Sequence, residues 1–121
     1  MAKILVIDDD DQTRDVVKEI LEIEGYDVIE APDGEIGSRA FMENMPDLVI
    51  LDIIMPNKGG LETIIKLREN HPDVKIFAMT GGGRVVKADF LSIAESIGAM
   101  RTFKKPFERK ELVAAVKEAL S

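Results

Sequence analysis

Short apolar runs alternate along the chain with longer stretches in which apolar residues recur every three or four positions. A run such as Ile4, Leu5, Val6 and Ile7 has no polar alternation, which suits a strand buried on both faces of a helix-covered parallel sheet. The three-to-four spacing suits helices laid on that sheet. Five strand–helix pairs are predicted, with strands over roughly 3–7, 26–30, 47–51, 75–79 and 101–104 and helices over roughly 11–24, 34–44, 60–70, 86–97 and 108–120. Val16, Val17, Ile20 and Ile23 are expected to form the inward stripe of the first helix, and Leu112, Ala115, Val116 and Ala119 that of the last. On the fourth helix, Val86, Phe90, Ile93, Ala94 and Ile97 make the stripe, which leaves Leu91 at its flank, facing a partner or half-buried. Gly25, Pro32–Asp33–Gly34, Pro46, Pro56, Gly59–Gly60, Pro72, Gly81–Gly83 and Gly98 all fall between elements. The fold class is therefore α/β, a five-stranded parallel doubly wound sheet of (βα)5 type, with its functional crevice at the carboxyl ends of the strands.

Those strand ends carry unusual chemistry. The first runs into four consecutive carboxylates, Asp8 to Asp11. Asp10 or Asp11 is explained as the N-cap of the following helix. Crowding the remaining acids is costly, because two charges ~5 Å apart at an effective dielectric of ~20 repel by roughly 3 kcal/mol before screening. A cation would relieve that repulsion. The third strand ends at Asp52, the fourth at Thr80, and the fifth at Lys104–Lys105 before Pro106, whereas the second ends in Glu30–Ala31 and offers nothing comparable. Three carboxylates, a hydroxyl and an ammonium converging on one crevice make a phosphoryl site with a hard cation.

Composition narrows the partners. The 121 residues are one domain's length, 45% hydrophobic and 32% charged, with net charge −7. Such an acidic surface argues against direct nucleic-acid binding and against an anionic membrane, while basic patches on partner proteins remain possible. Without cysteine there is no disulfide, thiolate nucleophile or cysteine-based zinc site. No apolar run is long enough for membrane insertion, and a cytoplasmic location is expected. His71 is the sole histidine, so no histidine metal cluster is expected.

With these residues assembled, the chain resembles the receiver domain of two-component response regulators, through ILVIDDD at 4–10, PDLVILDIIMP at 46–56 with Gly60, AMTG at 78–81 and KPF at 105–107. The resemblance implies a flavodoxin-like strand order 2-1-3-4-5, and a single receiver domain over 1–121 with no output domain. It implies Asp52 as phosphoacceptor, Asp8 and Asp9 as the acidic pair for Mg2+, Ile54 as a further metal ligand through its backbone carbonyl, Thr80 as the hydroxyl switch and Lys105 as the conserved-type lysine. Lys104 competes with Lys105, but only Lys105 directly precedes Pro106, where a cis bond would be the mechanical reason. The phosphodonor would be a histidine kinase or histidine phosphotransfer protein. The output would be a downstream protein target bound at the face of helix four, strand five and helix five. Such a module is a signalling phosphoacceptor that assists its own phosphorylation and dephosphorylation, not an enzyme in the ordinary sense.

Two positions depart from the family pattern. Thr102 stands where an aromatic residue is usual, and Phe103 beside it should point to the opposite face. Gly59 stands where an aspartate is common, and with Gly60 it is expected to make the loop after Asp52 flexible. Gly81–Gly83 is read as a hinge or as a nest of backbone amides for an anion. An aspartyl-intermediate phosphohydrolase would want a second acid two residues after Asp52, where Ile54 stands. A flavin or dinucleotide carrier would want a glycine-rich turn after the first strand, where the acids stand. A receiver-like module that only binds would not need the full acid, threonine and lysine set.

Overall fold

The computed structural model describes residues 2–53, 59–81, 89–105 and 108–121, with residues 81 and 89–91 described by their backbone alone. In chain order the elements are β1 (Lys3–Ile7), α1 (Asp11–Ile23), β2 (Asp27–Ala31), α2 (Gly34–Asn44), β3 (Leu48–Asp52), α3 (Gly60–Asn70), β4 (Ile76–Gly81), α4 (Asp89–Ser96), β5 (Arg101–Lys105) and α5 (Arg109–Leu120). The strands form one parallel sheet in the order β2-β1-β3-β4-β5. This is the doubly wound arrangement that right-handed crossovers produce, with the sequence reversing direction between β1 and β3.

Boundaries differ from expectation by a residue or two, with a consequence for the chemistry. β3 ends on Asp52, opposite Met79 of β4, and β4 runs on through Thr80 to Gly81, opposite Lys105. Asp52, Thr80 and Lys105 are thus held by sheet hydrogen bonding and do not sit in the loops beyond it. The expected helix over 86–97 is described as Asp89–Ser96. Val86, and the side chains of Phe90 and Leu91, lie outside the described residues.

Alternation along the strands sorts the core into two halves. Leu5, Ile7, Val49, Leu51, Ile76 and Ala78 pack with Phe41 of α2, Ile64 and Leu67 of α3 and Ala94 of α4. Ile4, Val6, Leu48, Ile50, Phe77, Met79 and Phe103 pack with α1 and α5 on the other face. The α5 stripe of Leu112, Ala115, Val116 and Ala119 is buried as its spacing implied. The α1 stripe is corrected: Val17 and Leu21 are its buried residues, whereas Val16 is 53% and Ile23 60% exposed. At about 100° per residue, a helix seated on Val17 and Leu21 carries Val16 and Ile23 about a quarter turn or more away from the sheet.

The Gly59–Gly60 pair is likewise more than a flexible joint. Gly60 begins α3 and donates its N–H to the Ile53 carbonyl at 3.1 Å. A Cβ there would collide with the Ile53 Cα and lie 2.5 Å from the Asp52 carbonyl oxygen, both backbone atoms that cannot move aside cheaply. Gly60 therefore lets α3 close onto the strand end that carries Asp52. Gly59 faces open space and is the N-cap of α3 without a side-chain hydrogen bond. Gly60→Ala should lower stability by about 1–3 kcal/mol through overpacking. Gly59→Ser should raise it by about 0.5 kcal/mol, through a new cap and a less flexible unfolded chain. Urea denaturation of the two variants checks both signs, and a neutral Gly60→Ala would mean the close approach is not a constraint.

Candidate functional site

The four acids after β1 divide into distinct tasks. Asp10 is the N-cap of α1: its Oδ1 accepts from the Gln12 N–H at 3.1 Å and its Oδ2 from the Thr13 hydroxyl at 2.8 Å. The Thr13 hydrogen bond leads the effects that hold the Asp10 carboxyl below its ordinary pKa; desolvation opposes it, and the Gln12 N–H and the Lys105 charge add to it. Asp11 opens the helix and accepts from Arg14 Nη2 at 2.6 Å, a favourable i,i+3 pair near the positive end of the dipole. Asp8 and Asp9 are left to face Asp52, and a carboxylate oxygen from each of the three lies within 4.8 Å of the others.

Asp8 is fully buried and each of its polar groups is engaged. Its N–H donates to the Ala31 carbonyl at 3.1 Å. Its Oδ1 accepts from the Asp10 N–H at 2.9 Å and its Oδ2 from the Lys105 ammonium at 2.8 Å. Its own carbonyl accepts from Arg14 Nη1 at 2.7 Å. The Lys105 ammonium also donates to Asp52 Oδ2 at 3.2 Å. Burial works against the Lys105 charge, but the hydrogen bond to Asp8 and the charges of Asp52 and Asp8 outweigh it, and the pKa is raised above the ordinary lysine value. Of the two candidate lysines, Lys105 enters the cluster and Lys104 is exposed.

Asp52 continues the face of β3 that holds Leu48 and Ile50, and Lys105 the face of β5 that holds Phe103, so both project toward the α1 and α5 side. Thr80 follows Ile76 and Ala78 on the other face. Thr80 is 2% exposed, and its buried hydroxyl has no hydrogen-bond partner among the described residues. Ile54, Gly82, Gly83 and the bond to Pro106 lie outside the described residues. Phe103 is buried against Phe77 at 5.5 Å on the α1 and α5 side, while Thr102 is half-buried on the opposite side. His71 packs tilted against Phe41 at 4.4 Å, away from this cluster in the fold, and a groove of about 650 Å³ between α2 and α3, bordered by Met42 and His71, is not lined by Asp8, Asp9 or Asp52.

A hard divalent cation fits the donor set. Three carboxylates converge at a spacing that one small ion can span, and Mg2+ takes oxygen ligands while keeping several waters. One divalent ion and one ammonium would balance three carboxylates. Arg14 escaped the sequence reading, and Glu30 was set aside there as offering nothing comparable. Arg14 supports Asp8 from α1, and Glu30, at the end of β2, lies 3.6 Å from Arg14 Nε and 3.7 Å from the Lys18 ammonium. The available signal was the i,i+4 placement of Arg14 and Lys18 on one helix flank beside a strand ending in an acid.

Comparison with known proteins agrees with this geometry. The family model described as the response regulator receiver domain matches residues 4–117. The transcriptional regulatory protein CpxR of Klebsiella pneumoniae is 35% identical over 120 residues, covering 99% of this chain and 50% of that protein. A response regulator receiver domain protein from Clostridium thermocellum superposes with a TM-score of 0.90 at 33% identity, covering 98% of this chain and 94% of that one. The response regulator TrrA from Thermotoga maritima, solved in complex with Mg(2+)-BeF, has a TM-score of 0.87 at 35% identity, covering 98% and 99%. The chain thus spans about half the length of the CpxR relatives it matches.

The Lys105 contacts predict a pH dependence. A lysine whose folded-state pKa is raised contributes stability fully below its unfolded pKa, and loses that contribution as pH rises through the folded value. The metal-free protein should therefore lose stability above the ordinary lysine range. Lys105→Met should remove that alkaline arm and lower neutral-pH stability by about 1–3 kcal/mol, because Asp8 and Asp52 stay buried without their ammonium. Lys104→Ala should change neither. Denaturation series at several pH values, without divalent cations, read all three.

Proposed function

The chain belongs to the response regulator receiver domain family of two-component signalling, and on that premise we propose that it takes a phosphoryl group from a phosphohistidine partner onto Asp52 in a Mg2+-dependent reaction and signals by altered protein binding. The observation that carries this reading is the convergence of Asp8, Asp9 and Asp52 with the Lys105 ammonium on one end of the sheet. A histidine kinase or histidine phosphotransfer protein in the cytoplasm is the donor that family membership suggests.

In this reading Asp8 and Asp9 hold Mg2+ together with Asp52 and the Ile54 carbonyl. Bound there, the ion would neutralise charge between Asp52 and the incoming phosphoryl group. An Asp52 carboxylate oxygen forms the new O–P bond as the N–P bond to the donor imidazole breaks, and the departing imidazole takes a proton from solvent. The fixed placement of Asp52 at the end of β3 would set the direction of approach, which is most of what phosphoryl transfer needs. Lys105 exchanges its hold on Asp52 Oδ2 for a charge-assisted bond to a phosphoryl oxygen. One carboxylate charge disappears and nearly two appear on the phosphoryl group, so the site turns net negative. Thr80 brings its unused donor toward that new charge from the other face of the sheet. Movement there biases the face of α4, β5 and α5 on which the downstream target binds. Since Thr102 has no ring to swing, the bias does not depend on an aromatic rotamer on β5.

Incubation with Mg2+ and a small-molecule phosphodonor should give a lasting mass gain of one phosphoryl group, mapped to Asp52 and absent in Asp52→Asn. Rapid release of inorganic phosphate would point to a hydrolase, and no modification at all would point to a module that only binds. Asp9→Ala should weaken Mg2+ binding and, by relieving repulsion with Asp8 and Asp52, stabilise the metal-free fold by on the order of 1 kcal/mol. A less stable metal-free Asp9→Ala protein would count against the crowded-carboxylate reading.

A further inference from the structure

We propose that Arg14 is the positioning residue of the cation site, a role that rests on the Mg2+ reading above and concerns how Asp8 and Asp9 are aimed. Its Nη1 donates to the Asp8 carbonyl at 2.7 Å, and its Nη2 to Asp11 Oδ1 at 2.6 Å. Its Nε faces Glu30 Oε1 at 3.6 Å. One guanidinium thereby spans the turn after β1, the first turn of α1 and the end of β2.

The Asp8 carbonyl belongs to the peptide unit that leads into Asp9. That unit is planar, so an acceptor fixed at its oxygen fixes the plane from which the Asp9 Cα and side chain depart. The Asp8 N–H bond to Ala31 continues the β1–β2 pairing, and its Oδ2 bond to Lys105 orients its own side chain. Its Oδ1 accepts from the Asp10 N–H, which closes the turn on the far side of Asp9. Arg14 holds the peptide unit on the near side, and so couples the direction of Asp9 to that of Asp8. The Arg14 side chain is 15% exposed and Glu30 backs it, with its second oxygen 3.7 Å from Lys18. A lysine at this position would keep the charge but could not donate from a rigid fork to two acceptors at once.

The sign of the effect separates positioning from simple charge. Arg14 is a cation behind a cluster of anions, and by Coulomb's law alone its removal would tighten the binding of a divalent cation. Loss of positioning has the opposite effect, since partners that orient metal ligands are typically worth on the order of tenfold or more in affinity.

The test is Mg2+ affinity by calorimetric titration at fixed ionic strength, with urea denaturation in the absence of divalent ions to establish that each variant is folded during titration. Arg14→Ala should bind Mg2+ on the order of tenfold more weakly than the unsubstituted protein. Arg14→Lys, charge retained, should bind several-fold more weakly, and the amide resonances of Asp9 and Asp10 should shift in its metal-free spectrum. Val116→Ala, a truncation in the distant α5 core, should lose stability while keeping its Mg2+ affinity. Equal or tighter binding by the Arg14 variants overturns the proposal, as does equal weakening in Val116→Ala, which would mean general looseness. Should Arg14→Ala not fold, Arg14→Lys decides alone, and unsubstituted affinity there overturns it. Absence of Mg2+ binding in the unsubstituted protein would overturn the cation site itself, whereas binding that ignores Arg14 sinks only the positioning role.

Discussion

The contact of the Lys105 ammonium with Asp8 and Asp52 is the interaction on which the rest of the arrangement depends. Two buried carboxylates beside a third acid repel in a medium that screens poorly. One ammonium from the end of β5 sits against both and offsets that repulsion. That places a demand on the sheet: β5 must end level with β1 and β3, although β4 stands between it and β3. The parallel order β2-β1-β3-β4-β5 meets it, with Ile7 level with Leu51, Asp52 level with Met79 and Gly81 level with Lys105.

Strand alternation then divides the labour across the sheet. Asp52 and Lys105 extend the side chains that pack on α1 and α5, whereas Thr80 extends those packed on α2, α3 and α4. A charge change at Asp52 would therefore be made on one face, and Thr80, buried with a hydroxyl that has no hydrogen-bond partner among the described residues, stands at the edge of the other. Phe103 packs against Phe77 beneath α1 and α5. The supports of the site share that economy of placement. Gly60 brings α3 up to the Asp52 backbone, Asp10 anchors the start of α1, and Arg14 ties α1 back to Asp8.

Much of this was legible in the chain alone, for identifiable reasons. Periodicity is a local property, so the doubly buried run Ile4–Ile7 and the α5 stripe could be read directly, and acids at the ends of apolar runs announced a crevice before any contact was known. The order in which strands pair, and hence which ends meet, came from the resemblance of four motifs and not from periodicity. Local pattern failed where the choice lay between near-equivalent positions. Val16 and Val17 are both apolar, and only the seating of α1 on the sheet buries one and leaves the other exposed. Gly59 and Gly60 look alike as flexible residues, yet backbone contact with Ile53 makes only Gly60 sterically obligatory.

The sequence by itself pointed to the kind of fold and to Asp8, Asp9, Asp52, Thr80 and the Lys104–Lys105 pair as candidate site residues, with Lys105 favoured by its place before Pro106, because each follows from residue type and position relative to an apolar run. Only the tertiary structure decided how the four acids divide among capping, pairing and the cluster, and that Lys105 and not Lys104 reaches it. It alone brought Arg14 into the picture and gave Glu30, set aside from the sequence, a place behind it. Those assignments depend on distances between segments far apart in the chain, such as the 2.8 Å between Lys105 and Asp8, and no local pattern encodes a distance across 97 residues.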